Sequence, residues 1–148
     1  MHLPLQYGRV NAEYASLIEA VEAALDAAVE GTDRLVVAGD AYIAWALEHP
    51  GAYQLLFESG DELPATRAEH GPRLQRRIVD LARRVDPDAP FAAALLLRSA
   101  WHGVVSLRLH KDEWDWGMTA QEATSDWWAL TARPAGPAST SDSRNRSQ

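Results

Sequence analysis

The sequence predicts an all-α domain, a bundle of five to six helices. Apolar residues recur at spacings of three and four along much of the chain, the period of a helix face and not of a strand. No repeated strand–helix–strand pattern is present, and Gly39 is not followed by a glycine-rich phosphate loop. At 148 residues the chain is the size of one domain. Folding at that length buries roughly 68–70% of the unfolded surface, enough for a sizeable core.

The first strong element spans residues 11–30. Tyr14, Leu17, Ile18, Val21, Leu25 and Ala28 form one apolar stripe, with Glu13, Glu19, Glu22 and Asp26 between them. Asn11 suits an N-cap and Gly31 a stop. Residues 33–49 follow, with Thr32 in capping position. The run "LVVAGDAYIAWAL" is apolar nearly all round. Leu35–Ala38 would suit a strand by propensity, but a central buried helix fits the length better. Pro50 ends it, because the residue before a proline resists the α conformation.

Residues 51–59 restart as a short helix with Tyr53, Leu56 and Phe57 on one side, and "GDELP" is a loop. Residues 65–85 form a polar helix with an apolar stripe of Leu74, Ile78, Leu81 and Val85. Gly71-Pro72 predicts a kink or break in it. "DPDAP" is a turn, and residues 90–111 are the longest apolar helix. After "KDEWDWG", Thr119 and Glu122 form a capping box for a last helix reaching about Arg133. The organisation expected is a stub at 1–10, a helical domain at 11–133 and a disordered tail at 134–148. The tail has only alanine as an apolar residue and cannot offset its own ordering entropy.

Composition narrows the function. The net charge of −7 opposes binding of nucleic acid over the whole surface, and of an anionic membrane. The absence of cysteine excludes disulfides, thiolate zinc sites and a cysteine nucleophile. "MHLPLQYGRV" lacks the apolar core of a secretory signal, and no apolar stretch reaches the roughly 18 residues of a spanning helix. A cytoplasmic protein without membrane association is expected.

The stretch "RSAWHGVVSLRL" carries the sharpest pattern. Leu97, Trp101, Val104 and Val105 share one helix face. Ser99 and Gly103, four apart, mark a second, with Leu96 and Leu107 nearby; small residues at that spacing let two helix axes approach closely. A helix with two apolar faces is sandwiched between partners. His102 lies about 100° from Trp101 and points squarely at neither face. It reads as a satisfied boundary residue or as a hydrogen-bonding group lining a cavity.

Tyr42, Trp45, Tyr53, Phe57 and Trp101 are a large aromatic set, with Asp40 on the same apolar helix as Tyr42. Such sets build cores; with polar tips they also wall small-molecule pockets. Of six tryptophans, the adjacent Trp127 and Trp128 diverge by about 100°. Either both cover one core, or one packs inside while the other meets a partner. Six arginines between Arg67 and Arg84 read as a solvated face, since no aromatic residue interleaves them to stack bases. Asp112, Glu113 and Asp115 read as a solvated loop without EF-hand spacing.

No nucleophile elbow, phosphate loop or evident carboxylate pair marks an enzyme. None of the five histidines forms a local pair with metal-ligand spacing. A metal site would have to be assembled across helices. His49, His102 and His110 are the ligands it would use, which defines an alternative: a metal-dependent helical-bundle enzyme. Otherwise neither cofactor nor metal is expected.

"AYIAWALEHPGAYQLLFES" (41–59) and "ALLLRSAWHGVVSLRL" (94–109) resemble the C-terminal regulatory domain of the TetR family of transcriptional regulators, in the branch marked by a Trp-His-Gly triplet. The resemblance covers roughly residues 15–132. It implies a cavity for a small, often hydrophobic effector and a homodimer formed by the last two long helices. By that resemblance the pocket draws on Tyr42, Trp45, Tyr53, Phe57, Leu97, Trp101 and Val105. The dimer interface draws on Leu95, Ser99, His102, Gly103, Trp127 and Trp128. Family members begin with a helix-turn-helix head that enters the major groove. Only ten residues precede the first regulatory helix expected here. The chain is therefore not expected to bind an operator by itself, and DNA would be a partner only through such a head.

Overall fold

A computed structural model describes residues 3–31, 33–58 and 70–111 with Gly117, Thr119 and Glu122, and side chains from Gly8 onward. The described residues form five helices and no strand: α1 (Leu3–Ala27), α2 (Arg34–Glu48), α3 (Pro50–Phe57), α4 (His70–Arg83) and α5 (Pro90–His110). The architecture is all-α, and Leu35–Ala38 is helical.

The helix boundaries follow local chemistry, in places not where the sequence suggested. α1 starts well before Asn11, which lies inside the helix and is not its N-cap. Gly31 has φ +89, a left-handed conformation that glycine adopts without steric cost. The cap of α2 is Asp33, whose Oδ1 accepts a hydrogen bond from the Leu35 backbone N–H at 3.0 Å. Thr32 lies outside the described residues.

At the next junction His49 is both C-cap of α2 and N-cap of α3, and Pro50 opens α3 where no intrahelical N–H is needed. The His49 backbone N–H and ring Nδ1 both bond the Trp45 carbonyl, each at 2.9 Å. A carbonyl only accepts, so Nδ1 carries the proton. The described part of α4 runs from His70, with Gly71-Pro72 at its start; the residues expected to precede it in the same helix, 65–69, lie outside the described residues. Val85 falls past the end of α4 and is exposed, so it drops out of the apolar stripe. Asp86 Oδ1 then accepts from the Asp88 and Ala89 N–H groups, turning the chain into α5.

Thr119 and Glu122 do form the capping box. The Thr119 N–H donates to Glu122 Oε2 at 2.8 Å, and the Glu122 N–H donates to Thr119 Oγ1 at 3.1 Å. The helix expected beyond them, with Trp127 and Trp128, and the tail at 134–148 lie outside the described residues.

α1 packs on α2, α3 and α4, and α5 packs on α2 and α4. Leu17, Ile18 and Leu25 of α1, Ile43 of α2, Leu74 and Ile78 of α4 and Val105 of α5 are sealed in the core. Each such aliphatic side chain stabilises the fold by about 1.5–3 kcal/mol. Trp45 joins two helices, its Nε1–H donating to Ser16 Oγ at 3.0 Å.

The close approach of α2 and α5 occurs at Gly39. A Cβ there would lie 2.7 Å from Trp101 Nε1, so only glycine lets the indole lie flush on α2. At Gly103 a Cβ would meet nothing within 4 Å. The Ser99–Gly103 face is thus uncovered by the described residues, and Leu95 and Leu96 beside it are 66% and 59% exposed. No described helix is long and apolar enough to cross a membrane.

Candidate functional site

The break at His49-Pro50 turns α3 so that Tyr53 meets Tyr42 of α2 edge-on, ring centroids 5.9 Å apart. Their hydroxyls are 3.1 Å apart, and the Tyr53 hydroxyl is 2.6 Å from Nδ1 of His102 on α5. Three helices are tied by this chain of two hydrogen bonds. Each hydroxyl has one proton, so where Tyr53 donates within this chain it runs in one of two directions. Either Tyr42 donates to Tyr53 and Tyr53 donates to His102, or a protonated Nδ1 donates to Tyr53 and Tyr53 donates to Tyr42. In the first arrangement a neutral His102 presents Nε2–H outward. In the second it presents a lone pair, or a second N–H if the ring is cationic.

The phenols of this site stay neutral. Burial pushes Tyr53 upward, and its neighbour Tyr42 adds to the shift. Burial likewise raises Tyr42 and Tyr14, against the opposing pull of Arg98 on both.

Arg98 is the one charged residue among residues 90–107. It is half-buried on α5. One Nη1–H donates to Gln75 Oε1 of α4 at 2.8 Å. The guanidinium carbon sits 5.2 Å above the Phe57 ring, within cation–π range. Among the described residues no carboxylate lies within ion-pairing distance of Arg98.

These groups converge on an open cleft of about 310 Å³, lined by Tyr42, Phe57, Leu95, Arg98, Ser99 and His102. It exists because α3 packs on α1 and α2 but not broadly on α5. Apolar walls with a few converging polar groups are the usual make-up of a small-molecule site.

Of the residues assigned to a pocket by resemblance, Tyr42 and Phe57 line this cleft, and Tyr53 stands one hydrogen bond behind His102. Trp45, Leu97, Trp101 and Val105 are core residues, and Trp45 faces α1. Three residues assigned to the interface, Leu95, Ser99 and His102, line the cleft; Gly103 does not. Arg98 and its support Gln75 were missed. The signal for Arg98 was present, a lone charge inside "FAAALLLRSAWHGVVSL".

Other titratable groups lie elsewhere. Glu58, at the end of α3, receives a 2.8 Å contact from His110 Nε2. Burial alone would raise the Glu58 carboxyl, but hydrogen bonds from His110 and Ser106 and the charges of His110 and His102 together hold it below its ordinary value. Burial raises the pKa of Asp40, and its Oδ1 has no hydrogen-bond partner. His49, His102 and His110 each serve a different partner, Trp45, Tyr53 and Glu58. Among the described residues no three His, Asp or Glu side chains are placed to hold a metal ion, and the three histidines of the metal-enzyme alternative are not brought together. Along α4, Arg73, Arg76 and Arg83 are exposed, and Arg73 pairs with Glu22 of α1 at 3.0 Å.

Comparison with protein families matches residues 35–131 to the family described as tetracyclin repressor-like, C-terminal domain. No curated protein and no solved structure matches the chain. The match runs from the start of α2 through α5 and the capping box, so it takes in the whole cleft. With well over half its length matched, in an all-α bundle, this chain belongs to the tetracyclin repressor-like C-terminal domain family, the TetR-like regulatory domains.

Proposed function

We propose that the chain is a small-molecule-sensing, dimerising regulatory domain with no enzymatic activity of its own. The observation that carries this reading is the open cleft, where two aromatic rings and a leucine meet Arg98, Ser99 and His102. Its volume is at the small end of the about 300–1,000 Å³ usual for ligand pockets. The occupant is a small, largely hydrophobic effector.

Pairing draws on the outer face of α5. Leu96 and Leu107 are exposed there with Gly103 between them, an apolar strip that a second copy would cover. Trp127 and Trp128 are assigned to the same homodimer contact. Leu95, Ser99 and His102 are reassigned from that contact to the ligand cleft.

Because one rigid helix carries both surfaces, an effector that prefers one position of α5 biases how two copies pack. Where such a domain is joined to a DNA-binding head, that bias sets the spacing of two heads. The test is tryptophan fluorescence and melting temperature against a library of apolar small molecules, with molecular mass measured by light scattering. Binding to a dimer supports the reading. A flat response across the library removes the sensor, and a monomer at every concentration removes the pairing.

A further inference from the structure

Arg98 is the least explained charge in the molecule. A guanidinium taken half out of water loses hydration, and a buried cation is ordinarily matched by a carboxylate. Among the described residues its surroundings are neutral: a glutamine oxygen, the face of Phe57 and the phenols Tyr14 and Tyr42. Gln75 and the Phe57 ring hold the group in one orientation on the cleft wall. Its hydrogen bonds to Gln75 and to the Tyr14 and Tyr42 hydroxyls all go to neutral acceptors, so among the described residues the charge itself is left unmatched.

We infer that the cleft takes an organic acid: a one- or two-ring aromatic body against Tyr42, Phe57 and Leu95, with a single carboxylate on the Arg98 guanidinium. This rests on the reading of the cleft as a ligand site, and adds the chemical class of what it binds. A carboxylate matches the guanidinium fork through two parallel charge-assisted bonds, which a neutral amide cannot equal. A second polar contact is available from His102, whose Nε2–H faces outward when Tyr53 donates to Nδ1. Only one fixed cation lines the cleft, and the Glu58 carboxylate lies close enough to feel the charge of His102. A second negative charge on the ligand would therefore be repelled. The class is a monoacid.

The test compares 2-naphthoate with 2-naphthamide, two probes of one shape that differ in charge. Both are titrated calorimetrically into the full chain. The expected result is naphthoate binding at least about tenfold tighter, by the margin charged over neutral hydrogen bonding gives. That advantage should vanish in Arg98→Gln while amide affinity stays the same, and return in part with Arg98→Lys. An advantage that survives Arg98→Gln overturns the assignment to Arg98. Equal binding of the two probes to the parent overturns the acid class and leaves the ligand site standing. Failure of both probes to bind overturns the acid class, and the apolar library then decides separately whether any ligand site exists. Should Arg98→Gln not fold, the comparison on the parent decides alone.

Discussion

Helices α4 and α5 pack against each other yet spend their surfaces differently. α4 buries Leu74, Ile78, Val79, Leu81 and Ala82 and turns arginines to water. Its pattern is complete once the fold is made. α5 buries Ala94, Leu97, Trp101 and Val105, then leaves Phe91, Leu95, Leu96 and Leu107 uncovered. A helix needs one apolar stripe to fold onto a core; apolar surface beyond it serves another contact. The contrast separates what α5 does for stability from what it offers a ligand or a second copy. It also predicts that substitutions around α5 divide sharply by face.

The largest effect should come from the inner face. Trp101→Ala is expected to cost about 3–5 kcal/mol in urea or thermal denaturation, because the ring is sealed against Tyr42 and Gly39. A small loss would mean the inner face is as loosely held as the outer one, and the contrast would fail.

Two glycines sharpen it next, with opposite signs. Gly39→Ala should destabilise by about 1–3 kcal/mol, since the new methyl meets the indole of Trp101. Gly103→Ala meets nothing within 4 Å among the described residues. It should raise the stability of the monomer by about 0.5–1 kcal/mol through helix propensity alone. If light scattering shows Gly103→Ala weakening a dimer, that face is a close contact between copies.

Between the two faces stands Tyr53. Tyr53→Phe leaves the buried Tyr42 hydroxyl without its neighbour and should cost about 1–2 kcal/mol. It also frees His102 Nδ1, so affinity for a cleft ligand should change more than stability does. On the outer face Leu96→Ser should move folding by no more than about 0.5 kcal/mol. Its effect belongs in the dimer dissociation constant.

The smallest effect is on pH dependence. Glu58 has a lowered pKa in the folded state, so its contribution is present above the ordinary carboxylate range and is lost as pH falls through the lowered value. Glu58→Gln should flatten the acid limb of a melting-temperature profile below about pH 4.5, its ordinary value. Asp40 has the opposite sign. Its raised pKa means the ionised form is disfavoured in the fold, so Asp40→Asn should melt slightly higher at neutral pH.

Much of the architecture was legible along the chain. Period and punctuation located five helix bodies, the turn at His49-Pro50 and the capping box at Thr119 and Glu122. These depend on residues within a few positions of each other. The boundary that differed, at Asn11, is a place where a local cap signal stood inside a helix held by longer-range packing. Tyr42 and Phe57 were legible as wall residues because aromatic side chains of that density are either core or cavity. Leu95, Ser99 and His102 were read as a pairing face, and here the spacing was silent. They lie on one flank of α5, but whether that flank meets a second copy or a cleft depends on where α3 ends.

By itself the sequence determined the helical class, the order of the helices and the stripe each would bury, because these follow from a period of 3.6 residues and from local caps. Only the tertiary structure decided that, among the described residues, Gly39 rather than Gly103 brings two helices close, that Tyr42, Tyr53 and His102 join in one hydrogen-bonded chain, and that Arg98 stands over Phe57. The reason is distance along the chain. Tyr53 and His102 are 49 residues apart, and no periodicity links positions that meet only because two helices happen to cross.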